Sequence, residues 1–177
     1  MADQSELPKG TYEDAVAMIG VQQQIQFGEV PVSLALIRVF AATVEDPNPA
    51  YWDIAEARRL WGGIGAPPGM LHGWVMPLLW RPDGREERTA LSARIPLPGT
   101  SLINVSTDVE YFDFARPGDT INVTETMTAV SGEKSTRLGV GHFVTTLAIY
   151  RTGTGARIAD YRNTLFRYTP HDQDGPR

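Results

Sequence analysis

The sequence has 177 residues, a formal net charge of −5, three histidines and no cysteine. This length predicts a single domain over residues 1–177, with an ordered core at about residues 11–169. The negative charge argues against nucleic acid as the main partner, because a phosphate backbone attracts a basic surface. The lack of cysteine excludes disulfides and thiolate metal sites. With so few histidines we do not expect a histidine-rich metal site. No cofactor is predicted.

No segment of the sequence is typical of a membrane protein. Residues 1–10 are polar and lack the apolar core of a signal peptide. The longest apolar region, residues 66–80, is too short to cross a bilayer. We therefore expect a cytoplasmic protein that has no contact with membranes.

The first part of the chain predicts three helices with clear start signals. Thr11 can cap the first helix, with Asp14 completing a capping box, and Ser33 can cap the second. Asp53 can begin a third, short helix that ends at Gly62. In the second helix an apolar stripe at the helical spacing is predicted to face the core. The stripe consists of Leu36, Ile37, Phe40 and Val44.

The segment that follows predicts a central helix with apolar side chains around its whole circumference, which favours burial. Pro67 and Pro68 fit its first turn, where a missing N–H costs nothing. Pro77 should kink or end it. Gly69 and Gly73 leave one side bare, so that a strand or a ligand could approach closely. Residues 81–99 are predicted to form a loop.

The second half of the chain changes to the alternating pattern of β-strands, rich in β-branched and aromatic residues. The strand segments are residues 103–114, 120–130, 136–151 and 156–168. Turn signals separate them at residues 116–119, 131–134 and 153–156. Strands this close in sequence predict an antiparallel meander. Helices followed by such strands indicate the α+β class.

Two motifs, "DPNPAY" at residues 46–51 and "PPGML" at residues 67–71, lie in a characteristic order. A helix precedes the first, a short helix separates them, and strands with a Gly-Asp turn follow. In this order the chain resembles the MaoC-like (R)-specific enoyl-CoA hydratase and acyl dehydratase family. The resemblance covers about residues 33–168 and implies a hot-dog fold. In that fold an antiparallel sheet wraps around a central buried helix, here residues 69–76.

The resemblance assigns roles to individual residues. It implies that Asp46 is the catalytic aspartate, that Asn48 is its neighbouring asparagine, and that the N–H of Gly69 supports the thioester carbonyl. Two positions depart from the family pattern. Tyr51 stands where the catalytic histidine belongs, and Pro68 replaces the histidine of the Ala-His-Gly motif.

These departures resemble the catalytically degenerate halves of heteromeric hydratases, such as the actinobacterial enzymes for steroid side-chain acyl-CoAs. The resemblance then implies a second MaoC-like subunit that carries the Asp–His pair, in a heterodimer or a dimer of heterodimers. It also implies an acyl-CoA or acyl-carrier thioester, with a bulky acyl group, as the substrate.

The chemistry of hydration makes the change at Tyr51 important. Water addition needs a group that accepts a proton near neutral pH, and a phenol titrates near pH ~10. Tyr51 is therefore predicted to bind substrate or to fill space. His72 lies one helical turn beyond Gly69 and could face the thioester. The candidate substrate-binding residues are Gly69, Asn48, Tyr51 and His72, and the candidate catalytic residue is Asp46.

Three functions remain open from the sequence. The first is a hydratase or dehydratase subunit that works with a histidine-bearing partner. The second is a self-sufficient dehydratase or thioesterase that uses Asp46 with His72 or Tyr51. The third is an acyl-CoA-binding hot-dog protein without catalysis. Purely structural roles also compete, since Asp-Pro and Asn-Pro pairs build turns and a lone histidine often belongs to the core.

Overall fold

The computed structural model describes residues 7–84 and 90–171, and all structural statements refer to these ranges. The helices are α1 (Tyr12–Ala17), α2 (Leu34–Thr43), α3 (Pro49–Trp52) and α4 (Ile54–Trp61), with 3₁₀ helices η1 (Pro68–Val75) and η2 (Leu91–Arg94). The strands are β1 (Gln26–Phe27), β2 (Ser101–Tyr111), β3 (Ile121–Val130), β4 (Lys134–Ser135), β5 (Gly139–Thr152) and β6 (Arg157–Pro170). Part of the predicted loop at residues 81–99 lies outside the described residues, and η2 forms within the rest. No helix in the described ranges is long and apolar enough to span a membrane.

The helix starts read from the sequence are confirmed. Thr11 and Asp14 form the reciprocal capping box of α1, and the Ser33 hydroxyl accepts from the backbone N–H of Leu36 at 3.2 Å. Gly62 ends α4 with a left-handed φ of 73°, which glycine adopts without strain. The predicted stripe of α2 is wrong in detail, because the fully buried residues are Ile37 and Ala41. Leu36 and Val44 are exposed, so the buried face is narrower than the apolar pattern.

The central helix differs from its prediction in type, length and burial. It is a 3₁₀ helix that ends at Val75, ahead of Pro77, which cannot donate a backbone hydrogen bond. Leu71, Trp74 and Val75 are buried, whereas His72 and Gly73 are exposed. A Cβ at Gly73 would meet no other atom within 4 Å, and the close approach of a neighbouring segment to η1 occurs at Gly28, where a Cβ would lie 2.0 Å from the backbone oxygen of Trp74.

The sheet has six strands in the described part of the chain, and β1, β3, β5, β6 and β2 follow one another across it. Every pairing is antiparallel, as predicted. The simple meander is wrong, however, because β2 lies beside β6 and not beside β3. The turn between β2 and β3 closes no hairpin, since Gly118 and Asp119 bond the backbone of Val32 ahead of α2. The strand β2 therefore forms one edge of the sheet.

The core lies between the helices and the concave face of the sheet. One cluster joins α2 and η1 to β5 and β6, and a second joins α1 and η2 to the far end of β3 and β5. Arg167 is buried beside the second cluster, and its guanidinium donates to the carbonyl oxygens of Gly99, Pro8 and Leu97. These bonds hold the segments at residues 8 and 97–99 against the sheet.

Candidate functional site

The loop at residues 46–51 bonds chiefly to itself. One carboxylate oxygen of Asp46 accepts from the N–H of Asn48 at 2.9 Å. The amide oxygen of Asn48 accepts from the N–H of Ala50 at 3.1 Å and so caps α3. The indole N–H of Trp52 donates to the backbone oxygen of Asp46 at 2.9 Å. The Asp-x-Asn-Pro order thus builds a turn and a helix start, in which both polar side chains have structural partners.

Tyr51 is a core residue on this loop. Its side chain is 5% exposed, and its ring lies 5.5 Å from the ring of Trp61, centroid to centroid. Burial, and then the negative charge of Asp46, raises the pKa of the phenol above its usual value. Tyr51 therefore carries even less phenolate at neutral pH than a free tyrosine, so little of it can accept a proton there.

Gly69 lies at the exposed start of η1, directly after Pro67 and Pro68. Because neither proline carries a backbone N–H, the N–H of Gly69 is the first that the helix presents. A Cβ at Gly69 would lie 3.7 Å from Cζ of Phe40, an ordinary contact distance. The glycine is therefore not forced by close packing, which leaves the predicted role of its N–H toward a thioester as a prediction.

His72 pairs with a residue that the sequence analysis did not single out. Its Nδ1 lies 2.9 Å from the hydroxyl of Tyr150 on β5, and the two rings meet edge to face. Tyr150 is 3% exposed. Burial, followed by the charge of Glu125 and by Tyr111, raises the pKa of the Tyr150 hydroxyl well above its usual value. The hydroxyl therefore stays protonated at neutral pH and is available for hydrogen bonding.

This pair borders a cavity of about 460 Å³ between η1 and the concave face of the sheet. Its volume falls within the range of roughly 300–1,000 Å³ that is typical of small-molecule sites. The lining mixes apolar residues with polar ones from several strands. Beside His72 and Tyr150, the polar lining includes Glu125, Tyr161, Asn163 and Thr107.

A smaller cavity of about 230 Å³ lies at the start of η1, lined by Pro67, Pro68, Leu71 and the segment at residues 111–115. Tyr111 borders it, and its hydroxyl bonds both the hydroxyl of Tyr161 at 2.9 Å and the backbone oxygen of Pro68. Tyr161 lines the larger cavity, so the two cavities lie on either side of this tyrosine pair.

The structure thus separates the predicted site residues into two groups. Asp46, Asn48 and Tyr51 share one loop, while His72 borders the large cavity with Tyr150. The described lining of that cavity does not include Asp46, Asn48, Tyr51 or Gly69. Strand alternation predicts that Ala148 and Tyr150 lie on the same face of the sheet, but it does not predict which face is concave. Within the described residues, no group of three or more His, Asp and Glu side chains could hold a metal ion.

Comparison with known proteins decides the family. The family described as "FAS1-like, dehydratase domain region" matches residues 17–161. The chain belongs to this family. The resemblance to acyl hydratases and dehydratases inferred from the two motifs is thereby confirmed.

Two curated relatives of this dehydratase-region protein are hydratase subunits. It is 39% identical over 155 residues to a "Probable enoyl-CoA hydratase alpha subunit" from Thermomonospora curvata, covering 81% of this chain and 47% of the relative. It is 28% identical over 143 residues to the "3-oxo-4,17-pregnadiene-20-carboxyl-CoA hydratase alpha subunit" of Mycobacterium tuberculosis, covering 79% and 46%. The chain spans about half the length of these relatives.

Solved structures confirm the hot-dog fold for this member of the dehydratase-region family. A chain of the ChsH1-ChsH2 complex from Mycobacterium tuberculosis superposes with a TM-score of 0.73 at 22% identity, covering 92% of this chain and 93% of that one. The MaoC-like dehydratase from Rhodospirillum rubrum superposes with a TM-score of 0.58 at 20% identity, covering 86% of this chain and 94% of that one. At these identities the likeness concerns the fold alone.

Proposed function

We propose that this chain is a cytoplasmic subunit of an (R)-specific enoyl-CoA hydratase or acyl dehydratase, whose catalytic Asp–His pair lies on a second MaoC-like subunit. The enzyme adds water to, or removes it from, the double bond of an α,β-unsaturated acyl thioester that carries a bulky acyl group. The names of the two hydratase alpha subunits support this assignment.

The observation that carries the proposal is the state of Tyr51. Hydration needs a base that takes a proton from water near neutral pH. Tyr51 occupies the histidine position of the motif, is buried against Trp61, and has a pKa raised by burial. The neighbouring carboxylate of Asp46 holds Asn48 in a turn. This loop supplies a scaffold, so an acid–base pair must come from elsewhere.

The exposed edge of the sheet supports a second subunit. Strand β2 bonds β6 along one side, and all but its first two residues are exposed. Ile103, Val105 and Val109 are among the exposed apolar residues of this strand. A long edge strand with apolar side chains invites strand pairing with another chain. A second hot-dog sheet that continues from β2 would bury these side chains and pair the free backbone groups.

Within such a complex we assign this chain to substrate binding. The N–H of Gly69, at the exposed start of η1, can donate to a thioester oxygen as negative charge develops there. The cavity of about 460 Å³ beneath η1 can hold acyl groups larger than a short chain. Asn48 and Tyr51 then contribute by fixing the loop, and His72 by bonding Tyr150 at the cavity border.

The test is co-expression with a MaoC-like protein that has an intact Asp-x-Asn-Pro-x-His motif, followed by hydration assays with crotonyl-CoA and a bulky enoyl-CoA. We expect a stable complex that hydrates the bulky thioester. Replacing the motif histidine of that partner with alanine should lower the rate by roughly 10²–10⁴-fold, because general acid–base catalysis is lost.

Three other results would each point to a different function. Hydration by the purified chain alone at an ordinary enzymatic rate would identify a self-sufficient dehydratase using Asp46 with His72 or Tyr51. Hydrolysis of the thioester, detected as free thiol, would identify a thioesterase. Binding of acyl-CoA without turnover, with every partner tried, would leave a non-catalytic acyl-CoA-binding protein.

A further inference from the structure

The polar side chains of the large cavity lie in successive rows across the concave face of the sheet. Tyr150 on β5 is opposite Ala159 of β6, and Asn163 of β6 is opposite Thr107 of β2. Residues 159 and 163 are four positions apart on one strand, which separates their rows by roughly 13 Å at the usual rise per residue. Tyr161 and Glu125 belong to the row between them. A ligand in this cavity therefore meets polar groups along its length.

The hydrogen bonds within this set leave defined groups for a ligand. The Thr107 hydroxyl accepts from Asn104 at 3.1 Å and donates to the amide oxygen of Asn163 at 2.7 Å. The Asn163 side chain is thus oriented by its oxygen, and its NH₂ group carries two donors. The hydrogen bond between Tyr150 and His72 uses one hydrogen-bonding position of the Tyr150 hydroxyl. In either histidine tautomer the hydroxyl can still make one more hydrogen bond, as donor or as acceptor.

A plain alkyl chain is a poor fit for this surface. Covering hydroxyl and amide groups with methylenes removes their water without replacing its hydrogen bonds, which is unfavourable for each group covered. An acyl group with hydroxyl or keto oxygens would restore those bonds while its hydrocarbon frame contacts Ala148 and Met76. The cavity therefore discriminates between acyl groups by their oxygen atoms as well as by their size.

We propose that this cavity binds the acyl group of the substrate and selects acyl groups that carry a hydroxyl or keto oxygen, with Tyr150 and Asn163 as the specificity-determining residues. This inference rests on the proposed function, since it names the class of acyl group which that function leaves open. It requires no catalytic group on this chain.

The test measures binding apart from turnover, with saturated thioesters that cannot be hydrated. Isothermal titration of the full chain with cholanoyl-CoA, which has no ring oxygen, is compared with lithocholyl-CoA and cholyl-CoA, which have hydroxyls at different ring positions. We expect at least one hydroxylated thioester to bind roughly tenfold more tightly than cholanoyl-CoA, the effect of one or two net hydrogen bonds.

The variants assign that preference to residues. Tyr150→Phe removes only a hydroxyl, and Asn163→Leu removes an amide of similar size from a different strand. Each should reduce the preference toward equal affinities while leaving the affinity for cholanoyl-CoA unchanged or higher. Tyr168→Phe is the matched control, because its ring stacks on Phe166, which stacks on Phe143 outside the cavity lining.

The possible results separate this inference from the proposed function. Equal affinities of the unmodified chain for all three thioesters would overturn the inference and leave the hydratase proposal intact. A preference that persists in both Tyr150→Phe and Asn163→Leu would also overturn it. If none of the thioesters binds, the cavity is not an acyl site and the inference fails, while the hydration assay of the complex still decides the proposed function independently.

Discussion

The loop at residues 46–51 and the cavity beneath η1 each contain a set of polar residues that resembles a site, and they are built in opposite ways. In the loop, Asp46 and Asn48 bond backbone groups only two residues away. In the cavity, His72 bonds Tyr150, 78 residues along the chain. The loop contains the motif of a catalytic site, but its hydrogen bonds are those of a turn. The cavity has no recognised motif but assembles polar groups from five strands and two 3₁₀ helices.

The comparison shows that a motif can be present in the sequence while its polar side chains are not free to contact a ligand. A motif can persist because it folds a loop, even where its reactive residue has been replaced. Here each side-chain bond of Asp46 and Asn48 stabilises the start of α3, which positions Tyr51 in the core. In this chain, His72 and Tyr150, which are joined by a contact between distant segments, face the cavity that is large enough for a ligand. Three measurements can break or sharpen this distinction.

The largest effect is expected for truncation of Tyr51. Tyr51→Ala should lower the free energy of unfolding by about 3–5 kcal/mol, the usual cost of removing a large buried aromatic ring and leaving a cavity. Urea denaturation followed by fluorescence measures it. Leu79→Ala is the control, since Leu79 is 80% exposed and should change stability little. A loss below about 1 kcal/mol for Tyr51→Ala would show that the loop is not a structural element of the core.

A smaller effect is expected from alkaline pH, through Tyr150. Its folded-state pKa is raised above the usual 10.0, so deprotonation favours the unfolded chain. The contribution of Tyr150 to stability is therefore complete below about pH 10 and is lost as the pH rises from there toward the folded-state pKa.

Thermal melting between neutral pH and about pH 11 measures this dependence. Tyr150→Phe should flatten the decline in melting temperature above pH 10. Part of the decline should remain, because the pKa values of Tyr161 and Tyr51 are also raised. Tyr12→Phe is the control and should leave the decline in place, because Tyr12 lies on α1 and its ring stacks on His142 of β5, away from Tyr150. Identical pH profiles for Tyr150→Phe and the unmodified chain would contradict the assignment of Tyr150 as a buried, protonated hydroxyl.

The smallest effect is expected at Asp46. Asp46→Asn keeps an oxygen that can accept from the N–H of Asn48, so the turn should persist. In the complex with a histidine-bearing partner, the hydration rate should fall far less than the roughly 10²–10⁴-fold that loss of a general base costs. A loss of that size would make Asp46 catalytic and return the reactive chemistry to this chain.

Much of the fold follows from local sequence signals. The capping residues Thr11, Ser33 and Asp53 each mark a helix start that the structure contains, because a cap satisfies N–H groups within a few residues of itself. The four long strands were also located, since alternation depends on neighbouring residues alone, whereas the two-residue strands β1 and β4 were not. The short α3 was missed, although Asn48 followed by Pro49 is itself a helix-start signal.

The candidate site was harder to predict, because its members are joined by strand register. His72 was singled out for its spacing from Gly69, but its partner Tyr150 depends on how η1 crosses β5. Asn163 and Thr107 face each other because β2 lies beside β6, and the expected meander would have paired β2 with β3. A wrong neighbour for β2 thus removes Asn104 and Thr107 from the predicted site.

By itself the sequence determined the fold class, the family and the presence of a tyrosine at the histidine position of the motif, since each of these depends on residue identities in a fixed order. Only the tertiary structure decided that Asp46 and Asn48 form a turn, that η1 is buried on one face, and that Tyr150 and Asn163 border one cavity. The physical reason is range. Caps, turns and strand alternation act over a few residues, whereas the cavity exists only where a helix and the edge of a curved sheet fail to fill the space between them.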